Sequence, residues 1–139
     1  MLPSIDCLSR RVPVDRNLLR LGAVLALLAV AAGAFGAHAL KEQLSFEAME
    51  WYRTAASYQF FHALALLCLA GFAKSSPASC MIRQAGWVLF GGVIVFSGSL
   101  YALALGAPRA LGMVTPIGGV ALLAGWAMVA FAAGKPPAS

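Results

Sequence analysis

Four long apolar runs constrain the fold of this chain more than any other feature of its sequence. They cover residues 18–37, 55–73, 84–105 and 111–133. A helix of about 20 apolar residues spans the hydrocarbon core of a bilayer, which is roughly 30 Å thick. Of the 139 residues, 61% are hydrophobic and 11% are charged, whereas a soluble domain carries about a quarter charged residues. The sequence therefore predicts an all-α fold, an integral membrane four-helix bundle.

Polar segments at the two ends set the limits of this membrane domain. Residues 1–17 are basic and lack helical periodicity, so we expect a poorly ordered cytoplasmic tail there. Residues 135–139 form a second short cytoplasmic tail. A single transmembrane domain then covers residues 18–134, which is one compact unit by length.

The segment between the first two runs predicts where the second helix begins. Ser45 is a typical N-cap residue, and the helix that it starts begins near Phe46. Because this helix begins before its apolar run, we expect its first turns to project from the bilayer. Trp51 then lies at the level of the lipid headgroups, where tryptophan is enriched.

The first apolar run has a second interpretation, a cleaved signal peptide. Arginines precede the run, and Ala37-His38-Ala39 resembles a cleavage site. The run is longer than the roughly 7–15 apolar residues of a signal peptide, and three more runs follow it. We therefore expect this segment to remain as the first span.

The distribution of basic residues predicts the orientation of the chain. With the N-terminus in the cytoplasm, the inner segments carry seven basic residues: Arg10, Arg11, Arg16, Arg20, Lys74, Arg83 and Lys135. The outer segments then carry three: Lys41, Arg53 and Arg109. Lysine and arginine are enriched in cytoplasmic loops. The sequence therefore predicts a multi-pass membrane protein with both termini in the cytoplasm.

Glycines are frequent in three of the four runs. Small residues let membrane helices approach closely, and close packing is the main force that joins helices in lipid. We expect helix packing at eight of these positions: Gly33, Gly36, Gly91, Gly92, Gly98, Gly118, Gly119 and Gly125.

Polar side chains at membrane depth form the candidate site, because such residues are costly in lipid and often mark function. Tyr58 and His62 are four residues apart on the second run and share a helix face, with Gln59 beside it. The first two runs join on the outer side, which places these residues in the outer half of the bundle. The predicted cluster has seven members: His38, Tyr58, Gln59, His62, Ser97, Tyr101 and Thr115.

Three interpretations of this cluster remain open. In the first, its side chains form hydrogen bonds between helices, worth about 0.6 kcal/mol each on average. In the second, His38 and His62 belong to a path for protons or a small solute, because imidazole titrates near neutral pH. No carboxylate inside the runs is available to pair with them. In the third, the two histidines ligate haem or a metal with the help of Cys68 or of methionines, although metal sites usually need more ligands.

The sequence carries no recognisable catalytic motif. Ser97-Gly98-Ser99 lies inside an apolar helix and lacks the strand–turn–helix context of a serine hydrolase. Phosphate loops, dinucleotide fingerprints and carboxylate pairs are absent. The ten basic residues are spread thinly along the chain, which argues against a nucleic-acid partner. We therefore expect no enzyme, no cofactor and no bound metal.

Several short motifs carry a family resemblance. They are Gly33-Ala-Phe-Gly-Ala-His38-Ala-Leu40, Tyr58-Gln-Phe-Phe-His62, Phe96-Ser-Gly-Ser-Leu-Tyr101, and Thr115-Pro-Ile-Gly-Gly119 with Ala124-Gly-Trp126. In this order they resemble the YgdD/YwdK-like family of small bacterial inner-membrane proteins, over roughly residues 18–131. The resemblance implies four transmembrane helices in the inner membrane. It implies no activity, because the family is a domain of unknown function, and the arginine-bearing N-terminal tail departs from its shorter members.

Two functions stay open at this point. One is a structural or accessory membrane protein, which packs with itself or with a larger membrane complex through its glycine faces. The other is a transporter or channel for protons or a small solute that uses the polar cluster. The lipid bilayer is a partner in both cases. A hydrated cavity that reaches the cluster favours transport, whereas a dry, fully packed bundle favours the accessory role.

Overall fold

The computed structural model describes residues 15–72 and 79–134, and within these ranges the regular structure is helical, without strands. The helices are α1 (Arg16–Phe35), α2 (Phe46–Phe72), α3 (Ser79–Ala104) and α4 (Thr115–Ala133). A π-helical turn, Gly36–Leu40, extends α1, and a 3₁₀ turn, Arg109–Met113, precedes α4. The predicted all-α fold is confirmed.

All four helices are long and apolar enough to cross a bilayer. With their adjoining turns they contain 25 to 27 residues each. At 1.5 Å per residue, each is about 38–40 Å long, more than the roughly 30 Å of a hydrocarbon core. The prediction of four transmembrane helices is therefore confirmed.

Side-chain caps set the starts of the first two helices. The Ser45 hydroxyl accepts a hydrogen bond from the backbone amide of Ala48 at 3.2 Å, and α2 begins at Phe46 as this cap predicts. The Asp15 carboxylate accepts from two amides of the next turn at 3.1 and 3.2 Å. Because of this second cap, α1 begins at Arg16, inside the segment predicted to be an unstructured tail.

The other predicted boundaries also shift. α3 begins at Ser79, before the apolar run at residue 84, because the helix continues through polar residues beyond the apolar segment. α4 begins at Thr115 and not at residue 111, because the 3₁₀ turn occupies the preceding residues. The rest of the predicted N-terminal tail, residues 1–14, and the predicted C-terminal tail, residues 135–139, lie outside the described residues.

The helices pack in chain order: α1 on α2, α2 on α3, and α3 on α4. Consecutive helices are antiparallel, so the turns Gly36–Leu40 and Arg109–Met113 lie at the same end of the bundle, here called the turn end. α2 and α3 are central. In an apolar segment of 18 residues, 39% of the residues of α2 and 44% of those of α3 are buried, against 22% for α1 and for α4. The outer faces of α1 and α4 carry exposed apolar side chains, as lipid-facing surfaces do.

The eight glycines predicted to pack do so unequally. A Cβ added at Gly36, Gly92, Gly118 or Gly125 would lie 2.5 to 2.8 Å from an atom of the neighbouring helix. At Gly119 the nearest atom would be 3.9 Å away, in ordinary contact. At three positions, Gly33, Gly91 and Gly98, no described atom lies within 4 Å. These three are exposed, and Gly98 borders an open cleft next to α1. The packing expected of them is therefore not found within a single chain.

Two further glycines, outside these eight, also pack closely. A Cβ at Gly22 of α1 would lie 3.1 Å from the carbonyl oxygen of Ala63 on α2. A Cβ at Gly86 of α3 would lie 2.7 Å from the side chain of Leu18, which is fully buried. Close contacts between helices therefore extend to the end of the bundle opposite the turn end.

Candidate functional site

The seven polar residues predicted to cluster do not share one centre, although Gln59, Ser97 and Tyr101 line the same cleft. His62 and Tyr58 contact α4 and α3, and Gln59 contacts α1. Three hydroxyl-bearing residues lie along α3 and at the start of α4, and His38 is exposed in the π-helical turn. The structure therefore brings some of these residues into pairs but does not gather all seven around one centre.

His62 is buried on α2, and both of its ring nitrogens have partners. Its Nε2 lies 3.2 Å from the indole Nε1 of Trp126 on α4. Indole nitrogen can only donate, so Nε2 must accept. Its Nδ1 then carries the proton and donates to the carbonyl oxygen of Tyr58, 2.8 Å away. This arrangement describes a neutral imidazole that links α2 to α4.

Trp126 is the main partner that sequence reasoning missed. The predicted cluster grouped His62 with Tyr58, Ser97 and Tyr101 but did not include Trp126. The signal for Trp126 was present, because an indole N–H in an apolar environment needs an acceptor. The chain has two histidines, and a histidine on another span could have been considered as that acceptor.

Gln59 is also buried, and its amide nitrogen donates to the carbonyl oxygen of Leu25 on α1 at 2.9 Å. Tyr52 makes a second bond of this kind, from its hydroxyl to the carbonyl oxygen of Ala32 at 2.9 Å. Gly36 lets the Tyr52 ring approach the end of α1, since an added Cβ would lie 2.6 Å from that ring. These two hydrogen bonds join α1 to α2 along one seam.

Ser97 and Tyr101 lie on α3 in a different environment. Among the described residues, their hydroxyl oxygens are the buried side-chain polar atoms without a hydrogen-bond partner. Both residues border a cleft of about 210 Å³ that Gln59 also lines. The other lining residues are apolar: Leu25, Leu28, Val93, Ile94 and Gly98. The cleft lies between α1 and α3, where those two helices do not pack against each other along their length.

Thr115 pairs with a serine outside the predicted cluster. Its hydroxyl lies 2.8 Å from that of Ser99, and the Ser99 hydroxyl also lies 2.9 Å from the carbonyl oxygen of Phe96. This contact joins α3 to the first turn of α4. Tyr58 is half exposed, and its ring contacts the ring of Phe96 on α3, with the two ring centroids 4.5 Å apart.

The structure also bears on the interpretation of the histidines as ligands. Within residues 15–72 and 79–134, no three histidine, cysteine or acidic side chains come together in a group that could hold a metal ion. Cys68 is exposed, and it lies nearly two turns along α2 from His62. With both ring nitrogens of His62 already hydrogen-bonded, ligation by this residue would first require those contacts to break.

Comparison with known proteins shows related sequences over most of the chain. A family model described as "Protein of unknown function (DUF423)" matches residues 32–119. The UPF0382 membrane protein of Staphylococcus epidermidis is 46% identical over 112 residues, which are 81% of this chain and 90% of the relative. No solved structure matches significantly.

Two further relatives are the proteins after which the family in the predicted resemblance is named. The UPF0382 membrane protein YwdK of Bacillus subtilis is 42% identical over 115 residues, 83% of this chain and 94% of the relative. The UPF0382 inner membrane protein YgdD of Escherichia coli is 43% identical over 115 residues, 83% of this chain and 87% of the relative. The predicted resemblance is confirmed, and this membrane protein belongs to the DUF423 family of proteins of unknown function.

Proposed function

We propose that this chain is a structural or accessory protein of the bacterial inner membrane. The observation that carries the proposal is that both ring nitrogens of His62, the deeper histidine of the predicted cluster, are hydrogen-bonded. Its two ring nitrogens are held by the Tyr58 carbonyl and the Trp126 indole. A proton relay needs hydrogen-bond partners that can take up or release a proton. A backbone carbonyl oxygen and an indole N–H do neither near neutral pH, so the two contacts of His62 suit an imidazole that fixes helices.

The remaining interhelical hydrogen bonds support the same role. Gln59 and Tyr52 join α1 to α2, and Ser99 with Thr115 joins α3 to α4. Polar side chains at membrane depth are therefore used mainly to hold the helices in register, and they are distributed over three different helix pairs. Such a distribution is typical of a bundle stabilised by several weak contacts.

A transporter or channel is the second candidate, and one observation favours it. The hydroxyls of Ser97 and Tyr101 have no partner within the described chain and border the cleft lined by Gln59. A small polar solute would find hydrogen-bonding groups there. The cleft is bordered by exposed apolar residues such as Leu28 and Ile94, which would face lipid, so a path to water on both sides would require a second chain.

The accessory role predicts a defined assembly in the membrane. We propose that the exposed glycines of α3, Gly91 and Gly98, allow close approach of another helix, since no described atom lies within 4 Å of a Cβ at either position. Crosslinking in native membranes should give one discrete species of fixed composition. Gly98→Leu should weaken that species without unfolding the chain. A comparable enlargement at an exposed alanine of α1, Ala31→Leu, is the control and should leave that species intact.

Two outcomes of that experiment would count against the accessory role. One is a chain that stays monomeric in every membrane sample. The other is an absorption band of haem in the purified material, which would support the interpretation of the histidines as haem ligands. We expect a discrete assembly and a spectrum of protein alone.

The proposed orientation places both termini, and the connection between α2 and α3, in the cytoplasm. It is supported by the seven basic residues assigned to inner segments against three assigned to outer ones in the sequence. A reporter enzyme that is active only in the periplasm should therefore be silent when fused after Ser139 and active when inserted at the turn end, after Gly106. Strong activity of the fusion after Ser139 would reverse the orientation.

A further inference from the structure

A cavity of about 510 Å³ opens at the turn end of the bundle, between α2, α3 and the start of α4. Its floor is apolar and comes mainly from α3, from Phe96, Leu100 and Leu103. Its rim carries Glu47, Trp51 and Arg109. Cavities of roughly 300–1,000 Å³ with apolar walls and a few polar groups are typical of ligand sites.

The position of the cavity determines which molecules can reach it. Glu47 lies in the first turn of α2 and Arg109 opens the 3₁₀ turn, so the rim is at the boundary between the bilayer and water. The floor lies on the last turns of α3, on the bilayer side of that rim. A tryptophan on the rim fits this level, because its indole prefers the headgroup region. A ligand that is polar at one end and apolar at the other matches both parts.

The charges on the rim come as an opposite pair. The Arg109 guanidinium and the Glu47 carboxylate lie 3.8 Å apart, with side chains 88% and 62% exposed. An exposed ion pair of this kind contributes little to stability. Each group can therefore turn to a ligand at small cost, and the two groups present a positive and a negative charge side by side.

We propose that this cavity binds a phospholipid with a zwitterionic, amine-bearing headgroup. The guanidinium of Arg109 binds the phosphate, for which its planar set of donors is well suited. The carboxylate of Glu47 binds the ammonium group, and the Trp51 ring offers a cation–π contact to the same group. The first part of an acyl chain covers Phe96, Leu100 and Leu103. An anionic lipid without an amine would meet the Arg109 charge but would be repelled by Glu47.

The test is native mass spectrometry of the full chain in detergent, after incubation with equal amounts of phosphatidylethanolamine and phosphatidylglycerol. We expect the wild-type chain to retain more phosphatidylethanolamine. Glu47→Gln should reduce this preference about twofold to fivefold, because it removes one exposed charge contact. Arg109→Gln should reduce the retention of both lipids by a similar factor, since both carry a phosphate.

A matched control is available on the same helix. Glu50 forms an exposed ion pair with Arg53 at 3.5 Å but does not line the cavity. Glu50→Gln should therefore leave the retention of both lipids unchanged. Equal retention of the two lipids by the wild-type chain would overturn the proposal, and so would an equal loss of preference in Glu47→Gln and Glu50→Gln. All three variants change exposed side chains, and a melting temperature equal to that of the wild type verifies that each is folded.

Discussion

Gly118→Ala is expected to lower the free energy of unfolding by about 1–3 kcal/mol, the usual cost of one methyl group too many in a packed interface. The added Cβ would lie 2.5 Å from the backbone nitrogen of Phe96 and 2.8 Å from its Cα. Backbone atoms inside a helix cannot rotate away as a side chain can. The methyl group is therefore accommodated only if α4 moves away from α3, which weakens the contact of Leu122 with Gly92 further along the same seam.

The adjacent residue supplies the control for this variant. A Cβ at Gly119 would meet only the Phe96 ring, at 3.9 Å. Alanine has a helix propensity about 1 kcal/mol more favourable than that of glycine. Gly119→Ala should therefore be neutral or slightly stabilising. Both variants can be compared by reversible unfolding in mixed micelles of increasing denaturing detergent. Equal changes in the two variants would show that the α3–α4 contact is not as close as described.

His62→Ala is expected to lower the free energy of unfolding by about 2–4 kcal/mol, in the range for removing a large buried side chain. His62 is only 8% exposed. Its loss leaves a cavity beside the rings of Tyr58 and Trp126. It also removes the acceptor of the Trp126 indole N–H, a hydrogen bond that links α2 to α4.

The second histidine of the chain is the natural comparison. His38 is exposed in the π-helical turn, and His38→Ala should change the free energy of unfolding by no more than about 0.5 kcal/mol. The two substitutions remove the same chemical group, so a difference between them reports the environment. If unfolding in mixed micelles gave the same small change for both, His62 would not hold helices together.

The fold was predictable because it depends on features that are local in sequence. Apolar runs of spanning length predict transmembrane helices, and Ser45 alone located the start of α2. The start of α1 was misplaced because the composition of the first 17 residues concealed the cap formed by Asp15. That cap is also a local signal, so a closer reading of the sequence would have found it.

The candidate site was harder to predict because the rotation of an apolar helix cannot be read from a pattern that is apolar on every side. Tyr58 and His62 share a face by spacing, yet Tyr58 is half exposed and His62 is buried. The buried face of α2 passes through Tyr52, Gln59 and His62. Which residues face the core is decided by the neighbouring helices, through contacts such as that of Trp126, and these are distant in sequence.

The cavity at the turn end depends on tertiary structure in the same way. Glu47 and Arg109 belong to segments that are far apart in the chain, and nothing in their local sequence pairs them. The 3₁₀ turn that begins at Arg109 includes residues 111–113, which were expected to begin the fourth span. This turn places the charged side chain of Arg109 at the mouth of the cavity.

We propose that His62 fixes the helices and does not conduct protons. The most direct test is proton flux into vesicles that contain the purified chain, driven by a pH gradient and compared with protein-free vesicles. We expect the wild-type chain and His38→Ala to give no flux above the protein-free background, while His62→Ala lowers stability. Proton flux through the wild-type chain that disappears in a folded, correctly inserted His62→Ala variant would contradict the claim.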